Sequence, residues 1–459
     1  MNAMVQMRDQ VVGVAPSGSL GSGYNIEAFK RGMSLGPDFV GQDAGSTDMG
    51  PYYHGTGKPF LPRATYKHDL AIMLRAARAA RVPLLVGSAL TSGCNEALAS
   101  AIDIITEIAR EHGLSFRMAT IQAELDKADL KRRAAATPLD DIGPGEPLTP
   151  ELIDRCGPIV AQMGVEPFIK ALDAGAEVVI AGRACDDAIF AALPMMRGYD
   201  TGLALHCGKI LECAGLSAIP YDLGEPMVGV VRRDHFVVEP GNAAHRCTTV
   251  SVAGHSLYER GDFELQPGPG GVNDLSQASF EQLDARSVRV RGSRFVPDAV
   301  YKVKLEGAEQ LGYRAIVMVG IRDPIMIREL DGLLADTAAR AEQRFGMAAG
   351  GMRLRFRAYG RDAVMGPLEP GGPPPREIGL MIEALAPTQD QASAVSMYAR
   401  GHLQHAHYKD ILTTAGNMAY PFSPFGIPVG PAYRFAVYHL LPLADPCEIF
   451  PMTVEEVRN

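Results

Sequence analysis

The 459-residue sequence lacks several features that would place it in a well-defined class of proteins. It has no apolar run of the roughly 18–20 residues that a membrane-spanning helix needs, and its first residues form no signal-peptide core. Its seven cysteines include no Cys-x-x-Cys pair, which argues against a disulfide scaffold and suits a reducing compartment. We therefore expect a cytoplasmic protein that has no membrane partner.

Two nucleotide-binding motifs are also missing. No Gly-Lys pair is followed by Ser or Thr, as a Walker loop requires, and no Gly-x-Gly-x-x-Gly occurs in register between a strand and a helix. The net charge of −9 disfavours general binding to nucleic acids. The sequence thus shows no dinucleotide fingerprint and predicts no nucleic-acid partner, and an oxidoreductase ranks third among the functions considered.

The composition that is present, 47% apolar and 21% charged, is that of a globular protein. In residues 1–225 strand-like and helix-like segments alternate, which predicts a parallel sheet with crossover helices. In residues 226–459 several segments alternate with period two, as half-exposed antiparallel strands do, and helices are predicted near 325–343 and 388–404. The predicted fold is an α/β domain with Gly-rich loops followed by an α+β domain, with no linker to mark the boundary.

A Gly-rich segment, residues 16–24, lies between a predicted strand and a predicted helix. Backbone N–H groups in such a loop can surround a phosphate or a carboxylate, with help from the helix N-terminus. We assign Gly21 and Gly23 to substrate binding on this ground. The alternative is that the segment is a structural turn.

The loop at residues 42–57 is rich in small polar residues and follows another predicted strand. Its paired carboxyls, Asp43 and Asp48, are suited to acid–base catalysis or to holding a divalent metal, and Ser46 and Thr47 are assigned to substrate binding. The alternative is that both aspartates only stabilise turns.

Two further loops, residues 87–95 and 182–187, also follow predicted strands. We assign Ser88, Arg183 and Asp186 to substrate binding. Ser88 precedes a predicted helix, whose N-terminus can bind an anion. The guanidinium of Arg183, directly after a strand, can bind two oxygens of a carboxylate or phosphate. Helix capping is the alternative for the polar residues of the first loop. All four loops are expected to converge at the carboxyl edge of one parallel sheet.

His206, Lys209 and Glu212 follow each other in steps of three, which places them on one face of a predicted helix. An imidazole, an ammonium group and a carboxylate on one face suit general acid–base catalysis or a His/Glu metal site. The alternative for His206 is a structural histidine of the core.

Other titratable residues receive a structural interpretation. Cys207 and Cys213 do not have zinc-finger spacing, so a structural zinc site is not expected. His255 and Glu259 are four residues apart, which we interpret as a solvated ion pair.

Several long motifs resemble the acyclic terpene utilisation family, the AtuA-type proteins; they lie at residues 43–53, 182–186, 206–213, 251–259, 302–307, 320–324, 359–366 and 415–419. The resemblance implies a role in the breakdown of branched carboxylic acids or their acyl-CoA esters. Some members carry an additional small C-terminal domain, and because this chain stops at Asn459 without it, we expect that domain to be a separate partner subunit. Cys207 stands where a nonpolar residue is expected in relatives, which argues against a metal role for it.

The first hypothesis is a lyase, either a hydro-lyase or a carbon–carbon lyase, that acts on a small anionic substrate such as a branched hydroxy acid or its CoA thioester. Its acid–base groups would be Asp43, Asp48, His206 and Glu212, and Arg183, Lys209 and the Gly-loop N–H groups would bind the substrate oxygen atoms. A divalent metal is left open, and a homo-oligomer is expected. The second hypothesis is a non-catalytic metabolite-binding or scaffold subunit of a multi-subunit complex.

Overall fold

A computed structural model of the protein describes residues 9–143, 146–413 and 415–458. The chain forms two compact units: the first comprises residues up to Ala308 and from Phe435 onwards, and the second comprises Glu309–Arg434. The domain boundary expected near residue 225 falls inside the first unit, because strands that follow it pair with strands that precede it. The described helices include none that is both long and apolar enough to cross a membrane.

The strands of the described residues are, in chain order, β1 (Val11–Ala15), β2 (Phe39–Asp43), β3 (Leu84–Gly87), β4 (Phe116–Ile121), β5 (Asp140–Asp141), β6 (Cys156–Ala161), β7 (Val178–Ala181), β8 (Met227–Val231), β9 (Phe236–Pro240), β10 (Leu265–Gly268), β11 (Gly271–Asp274), β12 (Ser279–Gln282), β13 (Val288–Arg291), β14 (Arg294–Pro297), β15 (Tyr301–Ile321), β16 (Arg353–Tyr359), β17 (Ile378–Ala386), β18 (Met418–Ala419), β19 (Gly426–Leu443) and β20 (Met452–Val457). The chain enters the second unit within β15 and leaves it within β19.

The helices are α1 (Ile26–Ser34), α2 (Pro51–Thr56), α3 (Arg63–Ala80), α4 (Asn95–His112), α5 (Lys127–Ala136), α6 (Pro150–Arg155), α7 (Glu166–Asp173), α8 (Ala188–Met196), α9 (Thr201–Glu212), α10 (Thr249–Ser256), α11 (Pro324–Phe345) and α12 (Gln389–Gln404). Short 3₁₀ turns lie at Ala214–Ser217 and Gly366–Leu368. The last two helices confirm the two that were predicted for the C-terminal part.

A ten-stranded sheet forms the centre of the first unit, in the order β12-β13-β9-β8-β1-β2-β3-β7-β4-β20. Its middle strands β1, β2, β3, β7 and β4 run parallel, which confirms the predicted α/β fold. The strands β8, β9, β13 and β12 extend one side of the sheet in antiparallel order, and β20 closes the other side against β4. Because parallel strands end at one edge, the loops after β1, β2, β3 and β7 leave the sheet together.

Helices cover both faces of this sheet. Side chains of α3 and α4, such as Leu74 and Ile105, pack on the face that carries Val14 and Val40. On the other face, Phe190 of α8 packs with its neighbours against the alternate side chains of the strands. Gly41 allows this packing, because a Cβ at that position would lie 2.6 Å from the Phe190 ring. Strands buried on both faces explain why these segments are continuous apolar runs.

The second unit contains an antiparallel sheet in which β17 pairs with β15 and with β16. The helices α11 and α12 contribute Leu330 and Leu403 to the core that covers this sheet. The period-two segments at Tyr301–Leu305 and Arg353–Arg357 lie within β15 and β16, so that these strand predictions are confirmed.

Candidate functional site

A cavity of about 300 Å³ lies in the first unit, at the carboxyl edge of the parallel strands. Four of the segments that line it come from the ends of β1, β2, β3 and β7 and the loops that follow them. The others are the segment between α2 and α3, the first turn of α3, the end of α9 with the residues after it, and the residues after α10. The expected convergence of the four loops is therefore confirmed. The lining residues are Gly18, Ser19, Leu20, Asp43, Ala44, Gly45, Ser46, Asp48, Met49, Phe60, Leu61, Tyr66, Thr91, Asp186, Glu212, Cys213, Leu216, Leu223, Tyr258 and Glu259.

Carboxyl groups dominate the polar part of the cavity wall. Asp43, Asp186 and Glu212 approach it from three different segments, and Asp48 and Glu259 lie at more exposed positions. The Oδ1 atoms of Asp43 and Asp186 are buried and have no hydrogen-bond partner among the described residues. Buried polar atoms normally have hydrogen-bond partners, so both oxygen atoms can still accept a hydrogen bond from a bound molecule, although Asp186 Oδ1 also forms an ion pair with Arg183 Nη1 at 3.6 Å.

The environment raises the pKa values of two of these groups, Asp43 and Asp186. Burial raises the pKa of Asp43 well above its usual range, the neighbouring charge of Asp186 adds to this, and Arg183 opposes it. Burial also raises the pKa of Asp186, again against the effect of Arg183. Since two adjacent carboxylates disfavour joint ionisation, this pair retains a proton more readily than ordinary aspartates do.

Glu212 is held by two neighbours on its own segment. Lys209 Nζ donates to Glu212 Oε1 at 2.5 Å, and Cys213 Sγ donates to Glu212 Oε2 at 2.9 Å. Burial raises the pKa of Glu212 to about 7, although Lys209 lowers it. Lys209 is not among the residues that line the cavity, so its ammonium group acts on the site through Glu212.

Arg183 does not line the cavity, in contrast to the substrate-binding role assigned from sequence. Its Nε donates to Glu306 Oε2 at 2.7 Å, and its Nη1 donates to Ser88 Oγ at 3.0 Å. Lys304 Nζ lies 2.7 Å from Glu306 Oε1. Although burial opposes ionisation, Arg183 and Lys304 hold the pKa of Glu306 far below its usual range. Arg183 and Ser88 therefore belong to a paired, buried charge network behind the cavity.

The Gly-rich loop binds an anion that belongs to the chain itself. The backbone N–H groups of Gly21 and Gly23 donate to Asp69 Oδ2 on α3, at 2.9 and 3.0 Å. These two N–H groups are thus occupied, and it is the earlier part of the loop, Gly18 to Leu20, that lines the cavity.

The loop after β2 contributes unequally to the site. Ser46 and Asp48 line the cavity, and the Asp48 N–H donates to Ser46 Oγ at 3.1 Å. Thr47 is not a lining residue; its carbonyl accepts the Gly50 N–H in a turn. Asp48 is exposed at the rim, whereas Asp43 is buried within the cavity wall.

His206 lies in the core rather than in the cavity, which corrects the acid–base role expected for it. Its Nδ1 is 2.7 Å from Ser293 Oγ, its Nε2 is 2.8 Å from Ser256 Oγ, and Phe236 and Phe280 pack against the ring. Burial lowers its pKa to about 3. Helix α9 forms as predicted, but full burial among hydroxyl and aromatic partners separates the imidazole from Glu212.

Two residues next to Glu212 were not assigned to the site from sequence, namely Cys213 and His255. Ligand atoms of Glu212, Cys213 and His255 all lie within 4.8 Å of one another, the one such group found in the described part of the chain. His255 was interpreted as a partner of Glu259, but α10 ends at Ser256, and the imidazole stacks on Tyr258 instead. Cys213 directly follows Glu212, whereas only the fold brings His255 to this place.

The comparisons with known proteins give one result. The family model described as "Acyclic terpene utilisation family protein AtuA" matches residues 64–419, which is more than three quarters of the chain. This range includes Asp186, Glu212, Cys213 and His255, but not Asp43 or Asp48. Neither the curated proteins nor the solved structures yielded a match.

Proposed function

The chain belongs to the acyclic terpene utilisation family, and from that premise we propose that it is a lyase which adds or removes water on a branched acyl group. The proposal depends most on one observation: Asp43 and Asp186 face the same cavity, and each has a buried oxygen atom without a hydrogen-bond partner among the described residues. Such a pair can hold one proton and one negative charge within the same cavity.

This arrangement suits an elimination of water. One carboxylate takes a proton from the carbon next to the carbonyl group, and the protonated carboxyl gives its proton to the leaving hydroxyl group. A C–H bond and a C–O bond break, a C=C bond forms, and water leaves; hydration is the reverse. A carboxyl with a raised pKa can serve as the acid, and the upward direction of the pKa shifts on Asp43 and Asp186 supports this role.

The charge of the wall favours a substrate whose reacting end is uncharged. Among the described lining residues there are five carboxyl side chains and no Lys or Arg. A free carboxylate would be repelled there, whereas the carbonyl of a CoA thioester can accept a hydrogen bond from a protonated carboxyl. The volume of about 300 Å³ lies at the small end of the roughly 300–1,000 Å³ range of ligand pockets, which suits a short branched acyl group.

The test is turnover of branched hydroxyacyl-CoA thioesters, measured together with their binding. We expect Asp43→Asn and Asp186→Asn each to lower kcat by about 10²–10⁴-fold while the thioester still binds. Asp38→Asn is a matched control, because Asp38 is a buried aspartate of the same unit that pairs with Arg197 at 2.6 Å and does not line the cavity. Thioester binding without any turnover by the parent protein would instead favour a metabolite-binding subunit.

A further inference from the structure

We propose that Glu212, Cys213 and His255 form a binding site for a thiophilic divalent cation of the Zn²⁺ class at the wall of the cavity. Their three ligand atoms, a carboxylate oxygen, a sulfur and an imidazole nitrogen, lie within 4.8 Å of one another. All three side chains are buried. Sulfur, nitrogen and oxygen donors together are the ligand set that selects zinc-like ions over Mg²⁺ or Ca²⁺.

A second observation concerns His255, one of the three candidate ligands. His255 is only 5% exposed, and its Nε2 is buried without a hydrogen-bond partner among the described residues. The ring is held by stacking on Tyr258, with ring centroids 5.4 Å apart. An imidazole nitrogen without a hydrogen-bond partner can offer its lone pair to a metal ion.

The ligand atoms, now within 4.8 Å of one another, would adjust their spacing to accept an ion. Zinc bonds of about 2.0–2.3 Å place the ligand atoms of a tetrahedral site roughly 3.3–3.8 Å apart. Cys213 Sγ and Glu212 Oε2 are now 2.9 Å apart because the thiol proton lies between them. An ion that replaces this proton separates the two atoms, and the proton leaves to solvent.

Lys209 is not one of the three ligands, but it orients Glu212. Its Nζ holds Glu212 Oε1, which leaves Oε2 directed at Cys213. A charged hydrogen bond to the outer oxygen of a ligating carboxylate is a common means of orienting it. The two negative charges of the thiolate and carboxylate balance the divalent ion.

The proposed metal site would also share residues with the cavity wall. Glu212 and Cys213 both line the cavity, so an ion held by the three side chains would lie at the cavity wall. Three protein ligands with one open position characterise catalytic rather than structural zinc sites. The inference shares Glu212 with the wall of the proposed active site, but it rests on the ligand atoms and not on the proposed reaction.

The experiment is titration of the full-length, metal-stripped protein with Co²⁺ and Zn²⁺. We expect one Co²⁺ per chain with a sulfur-to-cobalt charge-transfer band, displacement by Zn²⁺, and release of about one proton on Zn²⁺ binding. Cys213→Ser should abolish the band, and Cys213→Ser and His255→Gln should each weaken Zn²⁺ binding by more than the roughly 10–100-fold cost of losing an outer partner.

Cys207→Ser is the matched control, because Cys207 is a buried thiol of α9 that is not part of the ligand group. It should keep the band and the affinity for Zn²⁺, and thermal unfolding of each variant shows whether it is folded. A parent protein without the band, or a folded Cys213→Ser variant that keeps it, would overturn the inference. Because the experiment measures ion binding, it can support the metal site even if no thioester is turned over. Likewise, turnover of a thioester by a protein that binds no ion would support the proposed function and contradict the metal site.

Discussion

Two buried groups of charges meet at the carboxyl edge of the parallel sheet, and they differ in how completely they are paired. Behind the cavity, Glu306 binds both Arg183 and Lys304. In the cavity wall, Asp43 and Asp186 each keep an oxygen atom without a hydrogen bond among the described residues. The first group has the partners that a structural network needs, whereas the second keeps oxygen atoms that can still accept hydrogen bonds from a ligand.

Arg183 connects the two groups and shows why residue type alone is a poor guide to function. Its Nη1 lies 3.6 Å from Asp186 Oδ1, beyond hydrogen-bond distance, while its Nε is bound to Glu306. The guanidinium therefore lowers the pKa values of Asp43 and Asp186 from a distance and makes no contact with the cavity. The contrast leads to four predictions, from the largest expected effect to the smallest.

The largest effect is expected when Glu306, which pairs with both Arg183 and Lys304, is neutralised. Glu306→Gln leaves the buried Arg183 and the partly buried Lys304 without their shared counter-charge, so we expect the free energy of unfolding to fall by about 3–5 kcal/mol. Urea unfolding measures this change. Glu281→Gln, which removes an exposed partner of Arg289, should cost less than about 1 kcal/mol. Equal losses of unfolding free energy in the two variants would show that Glu306 contributes no more to stability than an exposed ion pair does.

A smaller loss is expected when the carboxylate inside the Gly-rich loop is neutralised. Asp69→Asn weakens the two charged hydrogen bonds from Gly21 and Gly23, which should cost about 1.5–3 kcal/mol in unfolding free energy. Amide hydrogen exchange at these two glycines should accelerate in the variant. Unchanged exchange would show that Asp69 does not hold the loop.

The third prediction concerns acid and His206. Because folding lowers its pKa to about 3 from the usual 6.5, the unfolded chain takes up this proton first. Stability should thus rise between about pH 3 and 6.5, by up to about 1.4 kcal/mol per pH unit for this group. In His206→Gln the slope of unfolding free energy against pH should fall by the contribution of one titrating group, up to about 1.4 kcal/mol per pH unit. An identical slope in parent and variant would disagree with a neutral, buried imidazole.

The smallest effect is expected for Asp43. Asp43→Asn removes a carboxyl whose ionisation the fold disfavours, so stability at neutral pH should change by less than about 1 kcal/mol, or rise. Asp38→Asn should lower it, because Asp38 accepts from Arg197 and from the Val12 N–H. Thermal unfolding of both variants at pH 7 makes the comparison, and a larger loss for Asp43→Asn would contradict it.

The sequence predicted the local features well. Apolar runs and Gly-rich loops identified β1, β2, β3 and β7, and the common direction of parallel strands then placed Asp43 and Asp186 at one edge. Helical spacing also located α11 and α12. These signals lie within short windows of the chain, which is why they could be found without a structure.

The partners of the polar side chains could not be predicted in this way. Arg183 and Glu306 are 123 residues apart, and no periodicity links them. The His206 spacing was correct for a helix, but the hydroxyls that bind the imidazole, Ser256 and Ser293, come from other segments. His255 was missed for the same reason, since its approach to Cys213 depends on the packing of α10.

The pairing of β20 with β4 sets an order of events during synthesis of the chain. Residues Met452–Val457 lie against Phe116–Ile121, so about 330 residues separate the two strands. At about 5–20 residues per second, a ribosome needs tens of seconds to make that stretch, including the whole second unit. Throughout this time β4 presents an unpaired edge in the nascent chain. The interval is a window in which a chaperone, or another copy of the chain, can occupy the place of β20.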